Sequence, residues 1–182
     1  KEYEQKGAEK HLREMARRFE KIAEMGDDGI IVFNGQYKIE FANTVASELT
    51  EYPKERLMGM DFRHLLTERD HGYLDRMHSD VGEDESKRVC TEMEVLTAKG
   101  LKKDVEVCIT LSKVEEGGMK TYAYLRDITE QKRMAREIRE ATKRFEKIAE
   151  MGDDGIIVFD EDSRIEFANQ VATARWRGVN TT

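Results

Sequence analysis

The sixteen residues RFEKIAEMGDDGIIVF occupy Arg18–Phe33 and recur unchanged at Arg144–Phe159. Residues 18–46 laid over 144–172 agree at 23 of 29 positions. Five differences fall together, NGQYK (34–38) against DEDSR (160–164), and the sixth is Thr44 against Gln170. After Ala46 and Ala172 the similarity stops. A repeat this widely spaced suits whole domains better than solenoid units of roughly 20–50 residues. The stretch reads as a helix end, a glycine-bounded break and a β-rich run. One complete domain and the opening of a second are expected, in a piece of a longer protein whose first residue here is Lys rather than Met.

The composition narrows the classes. Charged and hydrophobic residues each make up 38% of the 182 residues, as suits a soluble domain flanked by charged helices. The net charge of −7 argues against nucleic acid as a partner, because binding phosphates takes concentrated positive charge. No run approaches the roughly 18 apolar residues of a membrane span, so no membrane contact is expected in this fragment. Cys90 and Cys108 are too few for a disulfide scaffold, and a reducing cytoplasm is expected. Both read as small apolar strand residues rather than metal or redox groups, with Cys108 pointing away from the face that holds Val107 and Ile109.

Residues 1–25 read as an amphipathic helix. Leu12, Met15, Phe19 and Ile22 recur at steps of three and four, and Gly26 suits a left-handed stop. Two β-rich runs then flank Asn34-Gly35, whose tolerance of positive φ signals a hairpin. Residues 44–80 look like short helices: TVASELTEY, PKERLMG with Pro53 in a first turn, DFRHLL and ERDHGYLDRMH. VCTEMEVLTAKG, LKKDVEVCITLSKV and MKTYAYLRDIT alternate as strands, with EEGG (115–118) as a turn between the last two. Two strands, several short helices and three strands make an α+β plan: a five-stranded antiparallel sheet with helices on one face. Beyond Thr129, Met134, Ile138, Ala141, Phe145 and Ile148 step by four and three, the spacing of a coiled-coil and dimer seam or of a stripe packed back on its own domain. The expected division is a helix over 1–25, a domain over 26–129, a linker helix over 130–151, the start of a second repeat over 152–172 and a tail over 173–182.

GIIVF followed by IEFAN, LMGMDFRHLL, the EMEVLTAKG and VEVCITL pair, and LRDIT running into EQKR together resemble the PAS family of sensory domains. The resemblance covers residues 27–130 and restarts at 153. It implies a five-stranded antiparallel sheet crossed by helices, with a pocket between them. It also implies sensing: a ligand, cofactor or partner biases the sheet, and the terminal helices carry that bias onward. Asp127, Thr129 and Glu130 are the expected coupling residues, because a helix cap where sheet meets rod is a place to bias a two-state element. The parent is expected to be a two-component histidine kinase, with this chain non-catalytic. No phosphate loop, nucleophile–base pair or metal cluster is evident. A homodimer and other domains of the parent are the expected partners.

The implied pocket would be lined by Phe33, Phe41, Asn43, Leu57, Phe62, Leu66, Tyr73, Met77, Val89, Met93, Ile109, Tyr122 and Tyr124. It would hold an unknown small ligand or none, in which case the module is a ligand-free spacer and dimerisation unit. Asn43 is also a candidate cap for the following helix. RDHGYLDRMH is similar to the ligand-bearing helix of haem-binding PAS domains, but Asp70 stands where that ligand falls and His71 follows it. Haem is therefore disfavoured, and only His71 or His78 would serve as its ligand. The Asn-Cys-Arg-Phe run of flavin photoreceptors is absent. His11 and His64 read as surface or packing residues. The second copy alone buries too little to offset chain entropy. If ordered, residues 152–170 are expected to dock on a partner surface, as across a dimer, or on the first domain.

Overall fold

The structure, a computed structural model, describes residues 2–82, 84–114 and 118–179. It divides into two units, Lys1–Glu130 and Gln131–Thr182. In the first, α1 (Glu2–Glu24) leads into the strands β1 (Gly29–Asn34) and β2 (Ile39–Ala42). The short helices α2 (Thr44–Thr50) and α3 (Lys54–Leu57), a 3-10 turn (Phe62–Leu65) and α4 (Glu68–Val81) follow. The strands β3 (Val89–Leu96), β4 (Lys102–Lys113) and β5 (Met119–Asp127) complete the sheet. Its order is β2-β1-β5-β4-β3, antiparallel throughout, as the α+β plan requires.

Alternation along the strands sorts residues to two faces. Ile31 and Phe33 of β1, Met93 and Val95 of β3, Val105, Val107, Ile109 and Leu111 of β4, and Ala123 and Leu125 of β5 point inward. They meet Ala46 and Leu49 of α2, Leu57 of α3, Phe62 and Leu65 of the 3-10 turn, and Leu74, Met77 and Val81 of α4. Phe33 and Phe62 stack at 4.6 Å between centroids, and both are fully buried. Each such side chain contributes roughly 1.5–3 kcal/mol by leaving water.

Two local expectations change, and a third lies mostly outside the described residues. Gly26 is not in the left-handed region: α1 ends at Glu24, with the Met25 N–H on the Ile22 carbonyl at 3.1 Å. The first hairpin turns through Asn34–Lys38 rather than tightly at Asn34-Gly35. Asn34 Oδ1 accepts from the Gln36 and Lys38 N–H groups, and the positive φ of 62° falls on Tyr37. The EEGG turn lies mostly outside the described residues; Val114 N–H closes that hairpin on the Gly118 carbonyl at 2.9 Å. The cysteines also differ from expectation. Cys90 and Cys108 stand opposite each other across β3 and β4 and are joined by a disulfide, because the hairpin register pairs them directly.

The second unit contains α5 (Thr129–Met151, which begins in the first unit), the hairpin β6 (Ile157–Phe159) and β7 (Ile165–Ala168), and α6 (Gln170–Val179). The divergent turn keeps the geometry of the first copy. Asp160 accepts from the Asp162 and Arg164 N–H groups, and Ser163 takes the positive φ of 60°. The hairpin rests on its own helices, with Phe145 and Phe167 rings 5.5 Å apart, while Phe159 and Ile165 remain exposed. Residues 180–182 of the expected tail lie outside the described residues.

Candidate functional site: a cleft and two helix junctions

A cleft of about 380 Å³ opens where α4 meets the β1 and β5 strands; Phe33, Tyr37, His78, Leu111, Met119 and Thr121 are among its walls. His78 stands in it because α4 buries Leu74, Met77 and Val81, and position 78 falls on the flank of that stripe. Its Nδ1 meets the Leu74 carbonyl oxygen at 3.0 Å, so Nδ1 carries the proton and donates. Nε2 then accepts from the Thr121 hydroxyl at 3.0 Å. Burial lowers the His78 pKa, an effect that the Leu74 carbonyl and Asp75 partly oppose.

Tyr37 forms the outer wall, its ring 5.8 Å from Phe33 and 5.7 Å from His78. Its hydroxyl donates to Asp75 Oδ1 at 2.8 Å, and the Arg63 guanidinium lies 4.5 Å over its ring. Burial, then the bond to Asp75, pushes the Tyr37 pKa up to about 12. Arg63 also donates to both oxygens of Asp61, at 3.0 and 2.7 Å, which holds the Asp61 pKa at about 2. The His71 Nε2 reaches the Arg63 carbonyl at 2.9 Å, on the flank away from the core. Asp70 faces inward instead: its Oδ2 accepts from the Thr67 hydroxyl at 2.7 Å and from the Glu94 N–H at 3.0 Å, fastening α4 to β3. Both ring nitrogens of His78 are engaged, so His78 presents no free nitrogen to the interior. Among the described residues no group of three or more His, Cys, Asp or Glu side chains has the arrangement of a metal site.

The exit junction is built from the predicted coupling residues. Asp127 Oδ1 accepts from the Thr129 N–H at 3.0 Å, which caps the start of α5, and Glu130 sits in the first turn. Thr129 Oγ1 accepts from the Asp104 N–H at 3.2 Å, and the Ile128 N–H donates to the Asp104 carbonyl at 2.9 Å. The helix start is therefore tied to β4 as well as β5.

The incoming junction centres on Asn43, which is fully buried. Its Oδ1 accepts from the Ile30 and Ala46 N–H groups at 2.8 and 2.9 Å. Its Nδ2 donates to the Ala23 and Asp28 carbonyls at 2.8 and 3.0 Å. One amide thus joins α1, β1 and α2. Glu24 adds an acceptor for the Thr44 N–H at 2.8 Å and pairs with Lys54, which lowers the Glu24 pKa to about 2. Gly29 lets the strand approach, since a Cβ there would lie 3.1 Å from Ala46 Cα. The second copy repeats the arrangement, with Asn169 on Ile156, Ala172, Ala149 and Asp154 and with Gly155 against Ala172. The two junctions of the first unit meet at one end of the sheet: Gly29 pairs with Leu125, and Arg126 donates to both oxygens of Asp28 at 3.0 Å.

The predicted lining residues divide. Phe33, Leu57, Phe62, Leu66, Met77, Met93 and Ile109 lie in the core, with Val89 packed against it. Tyr122 and Tyr124 lie on the opposite face, because their inward neighbours are Thr121, Ala123 and Leu125. Phe41 joins them there: an irregularity between Val32 and Phe33 shifts the β1–β2 register, so Phe41 pairs with Val32 while Ile39 pairs with Phe33. Phe41 meets Phe19 at 5.4 Å instead. Tyr73 is exposed beside Arg76, one helical step off the buried stripe. Asn43 belongs to the incoming junction. Tyr37, Arg63, Asp75 and Thr121 were not anticipated. The only hint was that Tyr37 falls in the one turn where the two copies differ.

Residues 24–133 match the family model described as PAS fold, and residues 143–177 match one described as PAS domain. The chain is 27% identical over 172 residues to sporulation kinase E of Bacillus subtilis strain 168, an alignment covering 93% of the chain and 22% of that kinase. The PAS domain of an HTR-like protein from Haloarcula marismortui superposes with a TM-score of 0.56 at 24% identity, covering 68% of this chain and 99% of that one. A PAS domain from Colwellia psychrerythraea gives 0.55 at 21% identity, covering 64% and 98%. A PAS domain from a two-component sensor histidine kinase gives 0.53 at 15% identity, covering 63% and 98%. At these identities the likeness is one of fold.

Proposed function

The chain belongs to the PAS family, and from that premise we propose that it is the sensory and regulatory module of a longer signal-transduction protein, a histidine kinase. Its first PAS unit takes up a small ligand in the cleft beside His78 and relays occupancy through β5 to the exit helix. The observation that carries this reading is the His78–Thr121 contact at 3.0 Å. Thr121 lies on the strand that ends at Asp127 and feeds α5, and the extended chain from Thr121 to Thr129 spans about 26 Å. A group that displaces the His78 imidazole alters a hydrogen bond on the strand whose far end positions the helix.

The cleft chemistry suits a compact ligand with an apolar body and one or two polar groups. Phe33, Leu111 and Met119 offer the body a surface, and Tyr37, His78 and Thr121 offer donors and acceptors. Native mass spectrometry and an absorption spectrum of the purified chain test this. A retained small molecule, lost on Thr121→Val or His78→Phe substitution, supports it. A Soret or flavin band, or a chain that carries nothing and responds to no ligand, contradicts it.

A second reading has its own support. Phe33 and Phe62 stack at 4.6 Å between the sheet and the helices, and both are fully buried. This favours a ligand-free spacer that passes helix motion through the Asn43 and Thr129 junctions. In either case the partner is a second copy of the chain, joined through the exposed stripe Met134, Ile138, Ala141, Phe145 and Ile148. The module works in the cytoplasm, beside other domains of its parent.

A further inference from the structure

Neither the cleft nor the helix junctions make use of the two cysteines. Cys90 lies on β3, the edge strand, and Cys108 lies opposite it on β4, with Cα atoms 4.0 Å apart and a disulfide between them. Both project from the outer face of the sheet, where Cys90 is exposed and Cys108 is buried. The same row continues inward across the sheet. Tyr124 of β5 pairs with Cys108 on its other side, and the Arg88 guanidinium lies 5.4 Å over the Tyr124 ring. From Cys108, β4 runs back to Asp104, which holds Ile128 and Thr129 at the exit junction. The sulfur pair therefore joins the edge strand to the strand whose Asp104 holds the start of the exit helix.

We propose that Cys90 and Cys108 form a reversible thiol–disulfide site, oxidised by a hydroperoxide, whose state is read by the β4–β5 ladder leading to α5. In the reduced chain Cys90 is the sulfur that solvent reaches. It attacks the terminal peroxide oxygen, the O–O bond breaks, and the departing oxygen takes a proton to leave an alcohol or water and a sulfenic acid at Cys90. The Cys108 sulfur then attacks Cys90 Sγ. The S–S bond forms as the S–O bond breaks, and hydroxide leaves with the thiol proton as water. Two thiols give up two electrons and two protons, and one hydroperoxide is reduced. A dithiol returns the pair by exchange through a mixed disulfide.

The consequence follows from position. An edge strand is the part of a sheet that opens most readily, because half of its backbone groups have no neighbour. Closing the disulfide pins β3 to β4 and steadies the Asp104 contacts with the helix start. Opening it frees them. This inference is independent of the cleft: an empty cleft leaves it untouched.

The test uses the full 182-residue chain, reduced with dithiothreitol and then freed of it, with hydrogen peroxide as the probe. Maleimide labelling is expected to find two thiols before peroxide and none after, with a mass loss of about 2 Da and no linkage between chains. Dithiothreitol under native conditions is expected to restore both. Cys108→Ser is expected to leave a dimedone-reactive sulfenic acid at Cys90, and Cys90→Ser to leave Cys108 unmodified. Amide exchange at 124–130 is expected to slow several-fold in the disulfide form. Two labelled thiols after excess peroxide would overturn the proposal. So would a disulfide that opens only in denaturant, linkage between chains, or identical exchange in the two forms.

Discussion

The His78 imidazole and the Thr121 hydroxyl meet at 3.0 Å, forty-three residues apart in the chain. The contact sets the cleft wall against the strand that leads out of the unit. Asn43 holds the incoming helix to the same sheet, and Asp127, Thr129 and Asp104 hold the outgoing one. The unit thus has a cleft and two fastened helices on one sheet.

His78 makes stability depend on pH. Burial lowers its folded pKa below the usual value near 6.5, so the fold favours the neutral ring. Above about pH 6.5 the contribution is complete, because folded and unfolded chains are both neutral. As pH falls through that value the unfolded chain takes a proton that the fold refuses, and stability declines until the folded ring also protonates. Urea midpoints at pH 7.5 and 5.5 should differ in wild type, and His78→Gln should reduce the difference. NMR titration should place the His78 ring below the usual histidine value.

Tyr37 should titrate above the usual tyrosine value. Its pKa of about 12 rests first on burial and then on the Asp75 carboxylate. Absorbance at 295 nm should show a tyrosine step near pH 12. Asp75→Asn should bring that step down only part of the way, since burial remains. A titration unchanged by Asp75→Asn would mean that the hydroxyl does not rest on that carboxylate.

The Asn43 junction should carry more stability than an ordinary cap. Losing an N-cap costs about 1 kcal/mol, and leaving a buried polar group unpaired costs about 1–3 kcal/mol. Asn43→Ala removes four bonds at once, so a loss on the order of 3 kcal/mol is expected in chemical unfolding. Gly29→Ala should also destabilise, because its Cβ would lie 3.1 Å from the Ala46 backbone. Substitution at the exposed Glu48 should change little.

Much of this architecture was legible in the sequence. The period-two pattern of Val105, Val107, Ile109 and Leu111 revealed β4 and its inward face. LRDIT marked the exit junction through the capping chemistry of Asp and Thr. The site was less legible. Alternation divides a strand between two faces without saying which side chains line a cavity, so the bulky Tyr122 and Tyr124 were placed inside. The shift between Val32 and Phe33 turned Phe41 outward, and no local pattern encodes such an irregularity. The polar wall of the cleft joins Tyr37, Arg63 and Asp75 from three separate segments, a convergence visible only after folding. Likewise, the Cys90–Cys108 pairing depends on hairpin register, which spacing alone left open.

The stripe on α5 should drive self-association. Ile138 and Ile148 are 68% and 71% exposed, and they fall on one stripe at coiled-coil spacing. Ile138→Asp with Phe145→Asp should shift sedimentation equilibrium from dimer toward monomer. An unchanged dimer would place the interface elsewhere.

A change at the cleft is expected to reach the exit helix through β5. Thr121→Val keeps the strand and the side-chain shape and removes the hydroxyl that His78 accepts. Native-state hydrogen exchange of the full chain should then quicken at residues 122–130, including the amides of Ile128 and Thr129, while the β3–β4 turn at Thr97–Leu101 keeps its protection. Faster exchange confined to the immediate neighbours of His78 and Thr121, with the start of α5 unaltered, would contradict the account.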